Sequence, residues 1–232
     1  MRMQPILLLT RPQAQSVAFA DQCRAAGFTG DIVIAPILEI VGRALANALM
    51  PGTTLIFTSA NGVCHASDQT DLTGFHAVAV GEATGRAARL AGLSCTVADG
   101  HVDAVLALFG GRDVGAPLLH LRGAHATGDL VARLRRAGHR ADELVVYDQI
   151  ARPLTARALA CLSGQNPVIV PLFSPRSARL LAEATQGATA PLHPIAISSA
   201  TAQAWGDTPQ ARSVAYPDAA HMLTAVLTLW RE

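Results

Sequence analysis

Small hydroxyl residues and glycines stand where short apolar runs give way to helical patterns in this sequence. The free backbone N–H groups at the start of a helix, together with hydroxyl donors, bind an anion without requiring a cationic side chain. For any single serine or threonine, capping of the next helix is the better explanation. The repetition of the pattern is what favours an anion site. The candidate binding residues of this kind are Thr10, Ser59, Asn61, Gly81, Thr84, Gly123, Ser174, Ser177, Ser199 and Thr201.

Arginines lie at or just beyond the same junctions, and Arg11, Arg122 and Arg176 are further candidates for binding an anionic ligand. The sequence contains no lysine, so all 18 basic side chains are arginines. Any carboxylate that meets a cationic side chain here therefore meets a guanidinium fork, which can bind it through two hydrogen bonds. An arginine at the surface is more often simply solvated, and the sequence leaves both interpretations open.

Tyr147 is one of two tyrosines and follows the apolar residues Leu144, Val145 and Val146. A buried tyrosine whose hydroxyl binds the backbone is one interpretation. In a cleft, the same O–H group can instead donate a proton to a departing oxygen. Position alone does not decide between them.

Several function classes lack their signatures in this chain. There is no G-x-G-x-x-G, no phosphate-binding G-x-x-x-x-G-K-[ST] and no G-x-S-x-G motif. The four cysteines form no C-x-x-C and the eight histidines show no metal-ligand spacing, so we expect neither a metal nor a disulfide framework. A net charge of +1 without a long basic run argues against nucleic-acid binding. No apolar run approaches the roughly 18 residues of a membrane span, and no signal peptide is recognisable, so we expect a cytoplasmic protein.

The elements that must position these residues alternate regularly between strand and helix. Half the residues are hydrophobic but 4% are aromatic, and an aliphatic core of this kind is typical of parallel sheets covered by helices. This alternation predicts an α/β fold. The predicted strands are 6–9, 31–34, 54–58, 76–80, 118–121, 144–147, 168–173, 194–197 and 213–216. The predicted helices are 13–26, 60–67, 83–90, 103–108, 127–137, 154–162, 176–184, 200–205 and 219–229.

An internal sequence repeat indicates that the chain contains two similar halves. The words around Arg11 and Arg122, around Ser59 and Ser174, and around Thr84 and Thr201 match in the same order, at an offset between 111 and 117 residues. Chance agreement of common strand–turn–helix words is the alternative.

Two extended segments, 35–41 and 146–153, separate the groups of strand–helix units, and each contains a proline. Tandem domains would need one linker, whereas two linkers fit one domain inserted into the other. We therefore predict a discontinuous first domain of residues 1–36 plus 153–232, and an inserted second domain of residues 37–152.

Short words spread along the chain also resemble those of a known family. They are Leu9-Thr10-Arg11-Pro12, Phe57-Thr58-Ser59-Ala60-Asn61-Gly62, Val80-Gly81-Glu82-Ala83-Thr84, Leu121-Arg122-Gly123, Val145-Val146-Tyr147, Phe173-Ser174-Pro175-Arg176-Ser177 and Ile197-Ser198-Ser199-Ala200-Thr201, with a final Tyr216-Pro217. Each word is weak, but the ordered set spans Leu7 to Leu229 and is similar to the signatures of uroporphyrinogen-III synthases.

The resemblance implies two flavodoxin-like domains with parallel sheets, joined by two extended crossings, with the active site in the cleft between them. It implies a lyase of porphyrin and heme biosynthesis that needs neither metal nor organic cofactor. The tetrapyrrole precursor hydroxymethylbilane would lose its hydroxyl to give an azafulvene. Attack through a spiro intermediate would invert ring D and yield uroporphyrinogen III. A monomer is expected, with transient contact to the enzyme that forms the bilane.

The resemblance also carries over to single residues. Tyr147 matches the family tyrosine proposed to assist hydroxyl departure, and Ser59, Thr84, Ser174 and Thr201 match positions that line the cleft. The substrate carries eight carboxylates, which suits a site of helix starts, hydroxyls and arginines. The chain departs from the pattern where Ser198-Ser199 replaces a common glycine and proline, and where Asp148-Gln149 replaces arginine and threonine.

Three other functions remain as alternatives at this point. One is a non-catalytic two-domain protein that closes on an anion or a tetrapyrrole. Another is a degenerate synthase kept for tetrapyrrole binding or regulation, which the serine pair supports slightly. A third is a nicotinamide-dependent oxidoreductase, against which the missing glycine fingerprint argues.

Overall fold

The computed structural model describes residues 3–45, 48–98, 102–110, 115–125, 128–207 and 209–232. Its strands are β1 (Ile6–Leu9), β2 (Ile32–Ile34), β3 (Leu38–Gly42), β4 (Thr54–Phe57), β5 (His76–Val80), β6 (Ser94–Ala98), β7 (Leu118–Gly123), β8 (Ala141–Ala151), β9 (Val168–Leu172), β10 (Leu192–Ala196) and β11 (Arg212–Ser213). Its helices are α1 (Gln13–Ala25), α2 (Ala60–Ser67), α3 (Glu82–Leu90), α4 (Val102–Phe109), α5 (Leu130–Arg136), α6 (Ala156–Leu162), α7 (Pro175–Ala184), α8 (Ser199–Trp205) and α9 (Ala219–Arg231).

The chain divides into two compact units. Unit 1 comprises Met1–Glu39 and Ile150–Glu232, and unit 2 comprises Ile40–Gln149. The chain passes from one unit to the other within β3 and again within β8.

Unit 1 contains a parallel sheet in the order β11-β10-β9-β1-β2. Successive residues of β1 point to opposite faces, as strand geometry requires. Leu8 packs with residues of α6, α7 and α8, whereas Leu7 and Leu9 pack with residues of α1 and α9. Apolar side chains on both faces explain why the strands here are nearly continuous apolar runs.

Unit 2 contains a sheet in the order β3-β8-β7-β4-β5-β6, and the strands from β8 to β6 are parallel. On one face, Leu55 and Phe57 pack against α2 and α3; on the other, Ile56 packs against α4 and α5. The edge strand β3 is antiparallel to β8, because Arg43 N–H donates to the carbonyl of Val146 and Arg152 N–H to that of Ile37. The predicted α/β class with mainly parallel sheets is confirmed.

The strand orders of the two sheets are equivalent once their strands are numbered from matching starting points. With the edge strand β3 left out, and with counting in unit 1 continued from β11 to β1, both sheets read 3-2-1-4-5 when counted from β9 and from β4. This pairs β9 with β4, β10 with β5 and β1 with β7. The sequence echoes pair the same strands, so the repeated words occupy equivalent places in the two sheets.

Some elements differ from those predicted. The prediction missed β6, because this edge strand alternates exposed and partly buried residues and has no continuous apolar run. Part of the first predicted linker is the strand β3, and β8 extends through most of the second linker to Ala151. β11 is shorter and earlier than the predicted 213–216. The first residue of the predicted helix 127–137 lies outside the described residues. Among the described residues, no helix has the length and apolarity to cross a membrane.

Candidate functional site

Unit 1 brings one group of predicted site residues to a single sheet edge. β1, β9 and β10 are adjacent and parallel, so their carboxyl ends lie side by side. The chain turns to opposite sides of the sheet after β1 and after β9, and ligands of open α/β sheets bind at such a switch point. The residues that follow these strand ends are Thr10 and Arg11, then Ser174, Arg176 and Ser177, then Ser199 and Thr201.

Paired hydroxyls form the helix starts at this edge. Ser174 caps α7: its Oγ accepts from the N–H of Ser177 at 3.2 Å, and the two hydroxyl oxygens are 2.7 Å apart. Ser198 caps α8 in the same way, with 3.3 Å to the N–H of Thr201 and 3.0 Å between hydroxyl oxygens. The predicted site residue Ser199 is instead exposed as the first helical residue. The cap is made by its neighbour Ser198, which stands three residues before Thr201.

Arg11 lies across the switch point of unit 1. Its guanidinium carbon is 4.0 Å from the ring centroid of Phe173, which follows β9. Burial lowers the pKa of Arg11 below its ordinary value, but the group stays charged at neutral pH. The carbonyl of Arg11 accepts from the hydroxyl of Ser16 at 2.8 Å, which holds this turn to α1. Thr10 itself is buried.

Unit 2 brings the remaining predicted residues to the carboxyl edge of its own sheet. Ser59 caps α2 and accepts from the N–H of Asn61 at 3.2 Å. Gly81 begins α3 with a φ of 80°, a conformation that favours glycine, and Thr84 is buried in the first turn of that helix. Arg122 and Gly123 end β7.

Tyr147 lies inside β8, which continues to Ala151, and not at a strand end as expected from the sequence. The side chain is buried, with 5% of its surface exposed. A Cβ atom on Gly123 would lie 2.5 Å from its Cζ atom, so the glycine makes room for the ring. The ring of His65 is nearly parallel to it, with centroids 5.8 Å apart. Among the described residues, the Tyr147 hydroxyl has no hydrogen-bond partner, so it does not bind the backbone there.

Arg122 is held by its own unit. It donates to the carboxylate of Glu143 at 2.6 Å and to the carbonyls of Gly123 and Ala124 at 2.9 and 3.3 Å. The hydrogen bond from Arg122 lowers the pKa of Glu143. The sequence did not indicate this pair, because the two residues are 21 positions apart and meet through strand pairing.

His120 was also missed by the sequence reasoning. It lies on β7, 4% exposed, with Nε2 at 3.1 Å from the hydroxyl oxygen of Thr58, which follows β4. Burial lowers the pKa of His120 to about 4, so the imidazole is neutral at pH 7. The pair joins the two strands at the switch point of unit 2. An apolar strand carrying one histidine was the available signal.

A charged cluster lies beside Tyr147 in the sequence. Arg43 donates to Asp148 at 2.8 Å, and Nε2 of His125 is 3.6 Å from the other carboxylate oxygen. The hydrogen bond from Arg43 lowers the pKa of Asp148. Asp148 was noted as a departure from the family pattern, but its partners come from distant positions.

The cavities found among the described residues are lined mostly by other residues, although Glu143 lines one of them. One of about 430 Å³ is near His193 and Trp230, and one of about 360 Å³ is near Thr53 and Leu118, at the amino ends of strands. A third, of about 780 Å³, lies beside Arg179 and Trp205. Among the described residues, no group of three His, Cys, Asp or Glu side chains is placed to hold a metal ion.

Comparison with known proteins gives one consistent result. A family model described as uroporphyrinogen-III synthase HemD matches residues 17–222. The solved structure of uroporphyrinogen-III synthetase from Helicobacter pylori 26695 is 16% identical, has a TM-score of 0.67, and the match covers 98% of this chain and 100% of that one. A mutant uroporphyrinogen III synthase from Thermus thermophilus is 17% identical, with a TM-score of 0.57 and the same coverage. At these identities the structures show likeness of fold. The comparison with curated proteins finds no match.

Proposed function

The chain belongs to the uroporphyrinogen-III synthase family, and we propose that the carboxyl edges of its two sheets are where the family's reaction takes place. The activity itself follows from the family: a lyase of heme biosynthesis closes hydroxymethylbilane to uroporphyrinogen III, with loss of water and inversion of ring D. The comparisons give no support to a non-catalytic binding protein. What remains to be proposed is which residues bind the substrate and which act on it.

The repeated capped helix start is the observation that carries the proposal for binding. The equivalent strands β9 of unit 1 and β4 of unit 2 are each followed by a serine that caps a helix. These serines are Ser174 in unit 1 and Ser59 in unit 2. Helix starts and hydroxyls suit a substrate with eight carboxylates, because they offer many donors without burying many cations. Arg11 and Arg176 supply positive charge at the edge of unit 1. The remaining residues that we propose for substrate binding are Thr10, Asn61, Gly81, Thr84, Gly123, Ser177, Ser199 and Thr201.

Arg122 is a less favourable candidate for binding a substrate carboxylate. Its guanidinium already has Glu143 and two carbonyls as partners. To bind a substrate carboxylate it must share these hydrogen bonds, and a second carboxylate beside Glu143 is an electrostatic cost. Arg122 stays a predicted contact, and Arg11 is the stronger one.

Tyr147 is the proposed catalytic residue. The hydroxyl of the bilane is a poor leaving group until it gains a proton, and a phenol O–H positioned beside it can supply one. Two observations support this role: the ring is buried, and its hydroxyl is free of hydrogen bonds to the described residues. After water departs, the phenolate can take back the proton lost on ring closure. Much of the remaining task is to fold the bilane so that ring D meets the azafulvene.

We also propose that units 1 and 2 are two flavodoxin-like domains, the second inserted in the first, close to the predicted residues 1–36 plus 153–232 and 37–152. The order of unit 1, read from β1, is 2-1-3-4-5, which is the flavodoxin-like order. Without its edge strand β3, unit 2 reads 3-2-1-4-5 from β4, so for this unit the likeness rests on the equivalence of the two sheets. A cytoplasmic monomer with transient contact to the bilane-forming enzyme, and the position of the substrate relative to the two units, stay predictions.

A coupled assay tests the function. Hydroxymethylbilane is generated in the cuvette, the purified protein is added, and the oxidised products are separated by chromatography. Spontaneous closure gives isomer I, so a shift to isomer III that grows with protein concentration is the expected result. Isomer I alone, with folded protein present, would overturn the assignment.

A further inference from the structure

We infer that His65 is a positioning residue for Tyr147, holding the phenol ring so that its O–H points consistently at the departing hydroxyl. This inference rests on the proposed role of Tyr147. The two rings lie with centroids 5.8 Å apart and planes 27° from parallel, so they are stacked. Both residues belong to unit 2, and His65 is half-buried.

The helix α2 places His65 by a close approach to the sheet. A Cβ atom on Gly62 would lie 2.8 Å from the carbonyl oxygen of Leu121 on β7, so glycine lets the helix axis come near the strand. His65 follows three residues later and therefore lies on the same side of the helix, one turn on. β8 is the strand next to β7, which brings the imidazole to Tyr147.

The edge strand β3 packs against the imidazole of His65. A Cβ atom on Gly42 would lie 2.9 Å from Nδ1 of His65, so any larger residue there would displace the ring. Gln69 adds a second restraint, because its amide donates to the carbonyls of His65 and Arg43 at 2.7 and 2.9 Å. The end of α2 is thus tied to the residues that follow β3.

Tyr147 needs such a support because nothing else in the described residues fixes its hydroxyl. The ring packs directly against Gly123, where a Cβ atom would lie 2.5 Å from Cζ, but no hydrogen bond from the described part of the chain orients the O–H. A phenol that rotates by tens of degrees spends less time in line with the leaving oxygen. The predicted consequence is a loss in the chemical step and not in substrate affinity, since His65 is not proposed to touch the substrate.

The first test is His65→Ala in the coupled assay, with kcat and KM measured separately. We expect kcat to fall about tenfold while KM changes by less than about twofold. In a Tyr147→Phe background the same substitution should cost nothing further, because the proton donor that it positions is already absent. His76→Ala is the matched control: it removes a histidine at the amino end of β5 in the same unit and should leave kcat unchanged.

Two more variants keep the test decisive if His65→Ala folds poorly. His65→Phe retains a flat ring and should keep most of the wild-type kcat. Gly42→Ala pushes the imidazole and should lower kcat severalfold when His65 is present, but not when it is alanine. Independent, multiplying losses for His65 and Tyr147, or an unchanged kcat in His65→Ala, would overturn the inference. Failure of the wild-type protein to give isomer III would instead overturn the proposed function.

Discussion

The junction after β1 in unit 1 and the junction after β7 in unit 2 occupy equivalent places, yet their side chains do different things. In unit 1, Arg11 stacks on Phe173 and, among the described residues, meets no carboxylate. In unit 2 the equivalent Arg122 is bound to Glu143. The two sheets share a strand order, but among the described residues the arginine at this junction pairs with a carboxylate in unit 2 and not in unit 1.

The residues that lead to these junctions also differ in polarity between the two units. Alignment of Arg11 with Arg122 places Leu9 opposite His120, and Phe173 is opposite Thr58. At these two positions unit 1 carries the apolar Leu9 and Phe173, whereas unit 2 carries the buried Thr58–His120 hydrogen bond. Unit 2 also carries Tyr147 and His65. Under the proposed roles, unit 1 contributes Arg11 to substrate binding and unit 2 contributes Tyr147 as the catalytic residue.

The largest expected effect concerns acid stability. The pKa of His120 is about 4 in the folded protein against 6.5 for the free side chain, so the unfolded chain binds more protons between these values. The stabilisation by neutral His120 is complete above pH 6.5 and is lost as the pH falls toward 4, by about 3 kcal/mol. Urea unfolding at about pH 7 and about pH 4.5 measures this loss.

The control for this prediction is His120→Leu, which copies the residue of unit 1. In this variant the part of the pH dependence between 6.5 and 4 should shrink by the same amount. An unchanged pH dependence in His120→Leu would show that other groups cause it. The difference between His120 in unit 2 and Leu9 in unit 1 would then have no effect on stability.

The second prediction concerns the two tyrosines. Tyr147→Phe in unit 2 should lower kcat by about 5- to 150-fold, corresponding to roughly 1–3 kcal/mol, without abolishing turnover. Tyr216→Phe in unit 1 is the matched control, because Tyr216 is exposed and should leave kcat unchanged. Complete loss of activity in folded Tyr147→Phe protein would contradict this mechanism, since folding of the bilane by the rest of the site should still assist closure.

The third prediction separates the two arginines. Arg11→Gln should raise KM about tenfold with kcat little changed, as expected when a charged hydrogen bond to substrate is lost. Arg122→Gln should change KM less, because its guanidinium is already occupied by Glu143. A larger KM effect at Arg122 than at Arg11 would reverse the assignment of binding to unit 1.

The smallest expected effects concern the helix caps. Ser174→Ala removes a cap that also pairs with the hydroxyl of Ser177, and it should lower the free energy of unfolding by about 1 kcal/mol. Ser59→Ala removes one cap hydrogen bond and should cost less. Thermal unfolding of the two variants compares them directly. Equal losses would indicate that the second hydroxyl in unit 1 adds nothing to stability and favour a purely substrate-binding role for it.

Much of the fold was predictable from residues close together in the chain. The strands around Leu7, Ile56 and Ile169 are short apolar runs between helical patterns, and local periodicity is enough to recognise them. β6 and β3 were not recognised, because edge strands are half exposed and lack that pattern. The length of β8 was underestimated because the polar residues Asp148 and Gln149 interrupt the apolar run and Pro153 follows, although β8 continues beside β3 to Ala151.

The candidate site divides in the same way. The α/β class, the internal repeat, the family resemblance and the capping serines Ser59 and Ser174 could be predicted from the sequence, since each depends on neighbouring residues. The folded structure was needed to show that Arg122 is bound by Glu143, that His120 is buried beside Thr58, and that His65 stacks on Tyr147. These pairs join residues 21, 62 and 82 positions apart. Their contacts arise when parallel strands and the helix above them bring distant segments together, and no local pattern records which side chains will meet.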